Sequence, residues 1–224
     1  MKVALVLAGF PEPSETFIVN KVVGLAQSGV RVDVICRRLN RQAWRRFPQL
    51  LKPPRRLKVR VCWPVRPHGI ALLLVLPALL RVLALNPLGT WRYLTRGWRY
   101  FGVETPRRLY LDAELLAARP DVVHFEFGTL AAERMYLRDL LACPVVVSFR
   151  GFDLNFAELE RPGYYKAVWA AADAIHCLGH DLWVRACSRG CPPTKLKVLI
   201  PPAIDISFFQ PVERTQPARL GAAD

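Results

Sequence analysis

The chain has 224 residues, 52% of them hydrophobic, which is enough to bury the core of one large domain or two small ones and excludes a disordered chain. Its net charge of +14 arises in residues 34–103, which hold fifteen Lys and Arg and no Asp or Glu, while the remainder holds 17 basic and 18 acidic residues. This distribution excludes a uniformly basic nucleic-acid-binding protein and favours a basic insertion in an ordinary fold.

The chain opens with a pattern typical of a βα unit. An apolar stretch over residues 2–7 predicts a buried strand, Gly9 is expected to let the backbone turn, and Ser14 is expected to be the N-cap of the helix that follows. The free N–H groups at the start of such a helix suit an anion, although a plain tight turn without a ligand fits the same residues. Gly29 is predicted to end this helix.

Strand and helix patterns alternate along most of the remaining chain, and residues 37–56 are predicted to be a loop with a short helix. Further strands are predicted at 30–35, 57–63, 121–125, 144–149, 174–177 and 197–200. Further helices are predicted at 70–85, 87–100, 106–118, 130–141, 164–172 and 181–189. This order predicts one α/β, Rossmann-like, doubly wound parallel sheet over residues 1–210, with a linker or frayed tail at 211–224.

Residues 37–118 form the basic, amphipathic segment of this domain. The apolar stretch 70–85 is too short, and too interrupted by Pro77 and Arg81, to cross a bilayer. The next stretch interleaves Trp and Tyr with Arg, which suits a helix lying among lipid headgroups. We therefore expect contact with an anionic membrane surface; the alternative is a helical hairpin packed on the domain. Nucleic acid is not expected as a partner, because no recognised binding module is present.

Three polar clusters follow predicted strands, at 9–16, 124–128 and 150–153. The carboxyl ends of parallel strands meet at one edge of the sheet, where ligands bind in doubly wound folds. His124 alone could be a strand-end histidine, and Asp153 alone a cap. Together the clusters predict a cleft.

These clusters, in this order, carry a resemblance to the N-terminal domain of GT-B glycosyltransferases of the retaining family 4, of the type that builds colanic acid and other exopolysaccharides. The matching motifs are Phe10-Pro11-x-x-Ser14-Glu15-Thr16-Phe17-Ile18, Asp121-Val122-Val123-His124-Phe125-x-Phe127-Gly128, Ser148-Phe149-Arg150-Gly151-Phe152-Asp153, Ala172-Asp173-Ala174-Ile175, Gly190-Cys191-Pro192, Lys195-Leu196-Lys197-Val198 and Ile204-Asp205. They span nearly the whole chain, with weak matches in residues 37–118.

The resemblance implies transfer of a sugar from a nucleotide sugar to a saccharide or lipid-linked acceptor, without a metal or other cofactor. It implies catalytic roles for Arg150 and Asp153. It implies substrate contacts for Gly9, Phe10, Ser14, Glu15, Thr16, His124, Glu126, Phe127, Gly128 and Gly151. Separately, the six cysteines lie mostly within apolar or strand-like stretches, which predicts a reduced compartment; with the basic segment, we expect a cytoplasmic protein peripherally associated with the inner face of the plasma membrane. The other class of function that we consider is a non-catalytic protein that binds membranes or polyanions through residues 34–103.

The chain departs from the family pattern at three points. Many relatives have His where Arg150 stands; because Arg remains charged at neutral pH, a binding or electrostatic role is expected rather than proton acceptance. Ala203 replaces a Gly before the Ile-Asp pair, at the expected interdomain hinge. The second, donor-binding domain of the family is absent from residues 1–224. Transfer needs donor and acceptor in one cleft, so we expect these residues alone to be inactive.

Four residues superficially suggest zinc: His176, His180, Cys187 and Cys191. They fall on a predicted strand, a loop and a helix, and we do not expect them to converge. The sequence therefore predicts no metal site there.

Overall fold

The computed structural model describes residues 1–66 and 68–202, with only the backbone described at 68, 71 and 72. The described residues form a seven-stranded, all-parallel sheet in the order β3-β2-β1-β4-β5-β6-β7. Its strands are β1 (Lys2–Phe10), β2 (Arg31–Leu39), β3 (Leu57–Val61), β4 (Val122–Phe125), β5 (Val145–Phe149), β6 (Ala174–Cys177) and β7 (Lys197–Leu199). The α/β, Rossmann-like prediction is confirmed.

Helices connect successive strands, because parallel strands need a crossover connection between them. They are α1 (Thr16–Gln27), α2 (Arg41–Trp44), α3 (Pro48–Leu51), α4 (His68–Leu85), α5 (Pro87–Phe101), α6 (Thr105–Ala118), α7 (Gly128–Ala131), α8 (Leu137–Leu141), α9 (Gly151–Asn155), α10 (Lys166–Ala171) and α11 (His180–Ser188). A single 3-10 turn, Gly102–Glu104, joins α5 to α6.

Alternation along β1 builds a core on each face of the sheet. Val3, Leu5 and Leu7 pack with α1 in one apolar cluster. Ala4 and Val6 face the other way and join the larger cluster around α6. Because successive side chains on a strand point to opposite faces, one apolar strand serves both cores.

The part of the basic segment between β3 and β4 forms the three helices α4, α5 and α6. Ala78 and Val82 of α4 and Tyr93 of α5 are fully buried against α6, so both helices pack on the domain. Much of the outward surface of α4 remains apolar and exposed. Among the described residues, no helix combines the length and the apolar character needed to cross a membrane.

The start of the chain differs from prediction in two details. β1 continues through Gly9 to Phe10 and pairs with β2 along its length, so Gly9 lies in a strand and not in a turn. Ser14 is not the N-cap: the Glu15 N–H donates to the Glu12 carbonyl at 3.0 Å, which leaves Ser14 inside a turn and starts α1 at Thr16. Gly29 ends α1 as predicted, with a φ of 91°.

The predicted helix 130–141 is the other error, because the structure breaks it into α7 and α8. Between them the backbone bonds become i→i+3, from Arg134 N to Ala131 O at 2.8 Å and from Leu137 N to Arg134 O at 3.0 Å. The resulting turn carries Arg134 into an ion pair with buried Asp112. The predicted linker 211–224 and the predicted hinge at Ala203 lie outside the described residues.

Candidate functional site

Polar side chains gather where β1 and β4 lie side by side. The strand order reverses at this point, so the crossovers leaving β1 and β4 diverge and open a crevice at the carboxyl edge. The loops after β1, β4 and β5 all end at this edge, as the sequence predicts.

A buried carboxylate, Glu126, lies at the centre of this crevice, directly after β4. Its Oε1 accepts a hydrogen bond from Lys21 Nζ of α1 at 2.5 Å, and its Oε2 accepts one from Arg150 Nη2 at 3.0 Å. Burial alone would raise the pKa of Glu126, but its interaction with His124, the charge and hydrogen bond of Lys21, and the charge of Arg150 outweigh burial and lower that pKa. Two cations therefore share the buried carboxylate of Glu126.

Arg150 is held between aromatic rings. Its guanidinium lies 4.2 Å from the centroid of the Phe17 ring and 5.8 Å from that of Phe127. Its Nε is buried and has no hydrogen-bond partner in the described part of the chain. An arginine that is fixed, charged and short of one acceptor suits an anionic or hydroxyl-bearing ligand.

A chain of hydrogen bonds runs from this cluster across the sheet to β7. His124 Nε2 lies 2.8 Å from Ser148 Oγ, which lies 2.7 Å from His176 Nδ1. His176 Nε2 in turn lies 3.1 Å from the carbonyl oxygen of Ile200. Burial lowers the pKa of His124 to about 3, so its imidazole is neutral at pH 7. Burial also lowers the pKa of His176.

Asp153 joins two of the loops. Its Oδ1 accepts from the Thr129 N–H at 3.0 Å and from the Thr129 hydroxyl at 3.3 Å, and its Oδ2 accepts from the Arg150 N–H at 3.0 Å. Asp153 is fully buried, and this burial raises the pKa of its carboxyl. The hydrogen bonds from Thr129 and Arg150 lower the same pKa, but burial outweighs them. This geometry favours a positioning role, in which Asp153 fixes the backbone that carries Arg150.

The two loop glycines, Gly128 and Gly151, differ in how much space a side chain would have at each position. A Cβ on Gly128 would overlap the Phe149 ring, so a larger residue there would push the β4 loop off the sheet edge. Gly151 has room, since its nearest neighbour to such a Cβ is Asn155 Nδ2 at 3.7 Å.

The loop after β1 contributes fewer buried polar side chains to the crevice than the loops after β4 and β5 do. Ser14 and Thr16 are exposed, and Phe10 is buried edge-to-face against Trp44 at 6.0 Å. Glu15 is half-buried; burial first and then repulsion from Glu12 raise its pKa, while Arg150 opposes both.

Sequence patterns did not mark four residues of this constellation as site residues: Phe17, Lys21, Ser148 and His176. The one available signal was Lys21, a single cation in an otherwise largely apolar stretch of α1. Among residues 1–66 and 68–202, no three His, Cys, Asp or Glu side chains are grouped so as to hold a metal ion.

Known proteins resemble this chain in sequence and in fold. The chain is 27% identical over 213 residues to a Salmonella typhimurium protein named "Putative colanic acid biosynthesis glycosyltransferase WcaL". The match covers 88% of this chain and 50% of the relative, so the chain spans about half the length of the curated relative it matches. The chain matches no protein-family model.

Two solved proteins share the fold. Anabaena Alr3699/HepE, solved with UDP-glucose, superposes with a TM-score of 0.56 at 12% identity over 95% of this chain and 47% of its own. Sucrose-phosphate synthase from Thermosynechococcus elongatus gives a TM-score of 0.52 at 11% identity over 95% of this chain and 50% of its own. The described residues thus have the Rossmann-like fold of a GT-B glycosyltransferase half.

Proposed function

We propose that this chain is the acceptor-side half of a glycosyltransferase that moves a sugar from a nucleotide sugar to a lipid-linked or polysaccharide acceptor. The observation that carries the proposal is the buried Lys21–Glu126–Arg150 cluster at the crevice where strand order reverses. The resemblance to a colanic acid glycosyltransferase supports it. A donor-binding domain, in the same or another polypeptide, completes the cleft.

Arg150 is the proposed electrostatic residue of the reaction. A nucleotide diphosphate gains negative charge as it leaves the sugar, and a fixed cation in a water-poor site stabilises that charge. Phe17 and Phe127 hold the guanidinium in place, and Glu126 fixes one of its nitrogens. Asp153 positions the loop, and no metal ion is required in this scheme.

Transfer measurements on Arg150 variants test this proposal. The chain is joined to the half of the Salmonella relative that the match does not cover, and UDP-glucose is the first donor to test because the Anabaena neighbour was solved with it. Arg150→Ala is expected to lower transfer about 100-fold or more by removing a charge that is stronger in the transition state. Arg31→Ala, at the exposed start of β2 and away from the crevice, is the control and is expected to keep full activity. Equal activities in the two variants would show that the site lies on another loop.

The narrower assignment, to retaining transfer of family 4 in exopolysaccharide synthesis, rests on the motif resemblance and on the curated relative. Product anomeric configuration, read by NMR on the transferred sugar, tests it. A product with inverted anomeric configuration would exclude the retaining assignment, but it would not contradict the proposal that the protein transfers a sugar.

We propose that α4 and α5 bring the protein to the anionic inner face of the plasma membrane. Leu73, Leu76 and Leu80 recur at helical spacing on α4 and are 77%, 61% and 59% exposed, and Trp91 of α5 is also exposed. Exposed arginines, Arg96 among them, lie on α5 and complement anionic headgroups.

Vesicle co-sedimentation tests the membrane proposal. The chain is expected to bind vesicles containing anionic lipid and to dissociate as salt rises, because salt screens exposed charges. Leu73→Asp is expected to weaken binding, whereas Leu196→Asp, at an exposed leucine before β7, is expected to leave it unchanged. Equal binding to neutral and anionic vesicles would contradict the proposed attraction between the arginines and anionic headgroups. Absence of binding to either would favour the alternative, in which α4 and α5 are a helical hairpin packed on the domain without membrane contact.

A further inference from the structure

A cavity of about 330 Å³ lies on the α6 side of the sheet, near the ends of β2 and β3. Its lining includes Arg37 of β2, Trp63 after β3, Arg108 of α6, and Arg134 and Tyr136 between α7 and α8. Nothing in the proposed mechanism uses these residues. The crevice at Glu126 lies at the same carboxyl edge of the sheet, and one of the two partners of Glu126, Lys21, comes from α1 on the opposite face.

The cavity carries unneutralised positive charge. Arg37 and Arg108 form no ion pair within the described part of the chain, whereas Arg134 is paired with Asp112 at 2.6 Å. Arg37 and Glu133, the other acid of the lining, are both exposed, whereas Arg108 is partly buried. Two unpaired guanidinium groups at one cavity suit a phosphate, which arginine binds through paired N–H groups.

A buried network fixes one wall of the cavity. Asp112, 2% exposed, accepts hydrogen bonds from the hydroxyls of Tyr93 and Tyr136, both at 2.8 Å, and from Arg134. The Arg108 guanidinium lies 5.9 Å from the centroid of the Tyr136 ring. These side chains are therefore preorganised, which lowers the entropic cost of binding a ligand.

An aromatic ring, the indole of Trp63, also lines the cavity. Trp63 packs edge-to-face on Tyr110 with ring centroids 5.6 Å apart. The Tyr110 hydroxyl donates to the carbonyl of Pro64 at 2.7 Å, which ties the segment after β3 to α6. A fixed indole beside cationic groups suits a ligand with one apolar face and one anionic end, such as a hexose attached to phosphate.

We propose that this cavity binds the sugar-phosphate end of the acceptor, with Arg37 and Arg108 on the phosphate and Trp63 against the sugar ring. The inference rests on the proposed transfer to a lipid-linked acceptor. Its position fits that role on both sides. Val65 of the lining lies three residues before His68, where α4, the helix proposed to meet the membrane, begins. Arg134 lies 5.7 Å from the ring of Phe125, the residue before Glu126.

Isothermal titration of the 224-residue chain tests the site without any transfer assay. The ligands are glucose 1-phosphate, inorganic pyrophosphate and methyl glucoside. We expect the two phosphates to bind and the neutral glucoside not to bind. Arg37→Gln and Arg108→Gln are each expected to weaken phosphate binding about 10-fold, the loss of a charge-assisted hydrogen bond. Arg31→Gln, at the exposed opposite end of β2, makes the same charge change and is expected to leave binding unchanged.

Trp63→Leu separates the sugar contact from the phosphate contact. We expect it to weaken binding of glucose 1-phosphate but not of pyrophosphate, and circular dichroism checks that the variant is folded. Tighter binding of a short-chain isoprenyl diphosphate sugar than of glucose 1-phosphate identifies a lipid-linked source; equal binding identifies a free sugar phosphate. Equal losses at Arg31 and Arg108, or no phosphate binding, would overturn the inference. Transfer that persists in Arg108→Gln while binding is absent would leave the proposed function intact.

Discussion

Lowering the pH should destabilise this protein through one buried histidine. Burial lowers the pKa of His124 to about 3 in the folded state, while an unfolded histidine titrates near about 6.5. The unfolded chain therefore binds more protons between these values, and stability that is complete above pH 6.5 is lost as the pH falls towards 3. Between pH 7 and pH 5 the loss from His124 alone is about 2 kcal/mol, at about 1.4 kcal/mol per pKa unit.

Urea unfolding at pH 7 and pH 5, followed by tryptophan fluorescence, measures this loss. In His124→Gln the fall in the free energy of unfolding between the two pH values should be smaller than in the wild type by about 2 kcal/mol. His180→Gln is the matched control, because His180 is exposed at the start of α11, and its fall should equal that of the wild type. If His124→Gln and the wild type lose the same free energy, His124 is not held neutral by burial and the description of the cluster is wrong.

Two further predictions concern the loops and charges of the crevice. Gly128→Ala should lower the free energy of unfolding by about 1–3 kcal/mol through overlap with Phe149, whereas Gly151→Ala should change it by less than about 0.5 kcal/mol; equal effects in chemical denaturation would contradict the packing argument. Lys21→Met should lower the free energy of unfolding by about 2 kcal/mol, because it leaves Glu126 with one cation. A double-mutant cycle with Glu126→Gln should show coupling between the two residues. Additive losses of stability would mean that the Lys21–Glu126 pair contributes nothing.

The fold was predictable because a parallel sheet buries its strands on both faces. Continuous apolar stretches such as those of β1 and β5 mark such strands, and the glycine after α1 adopts the positive φ that only glycine adopts readily. The end of β1 was not predictable from residue type. Gly9 disfavours a strand locally, yet pairing with β2 extends the strand beyond it.

The loops of the candidate site were predictable from topology, and their chemistry was not. Strand order brings the residues after β4 and β5 to one edge, which places Glu126 beside Arg150. Lys21 reaches them from α1, 105 residues away in sequence from Glu126, and only tertiary packing brings it there. The same holds for the turn between α7 and α8, whose Arg134 pairs with Asp112 of α6, 22 residues earlier in the sequence.

The most direct measurement of the central claim is transfer of labelled sugar from a nucleotide sugar to acceptor lipids or saccharides, compared between two proteins. One is the 224-residue chain, and the other is the same chain joined to the half of its Salmonella relative that the match does not cover. Because donor and acceptor must share one cleft, we expect transfer by the joined protein and none by residues 1–224 alone. Robust transfer by those 224 residues alone would contradict the acceptor-half account.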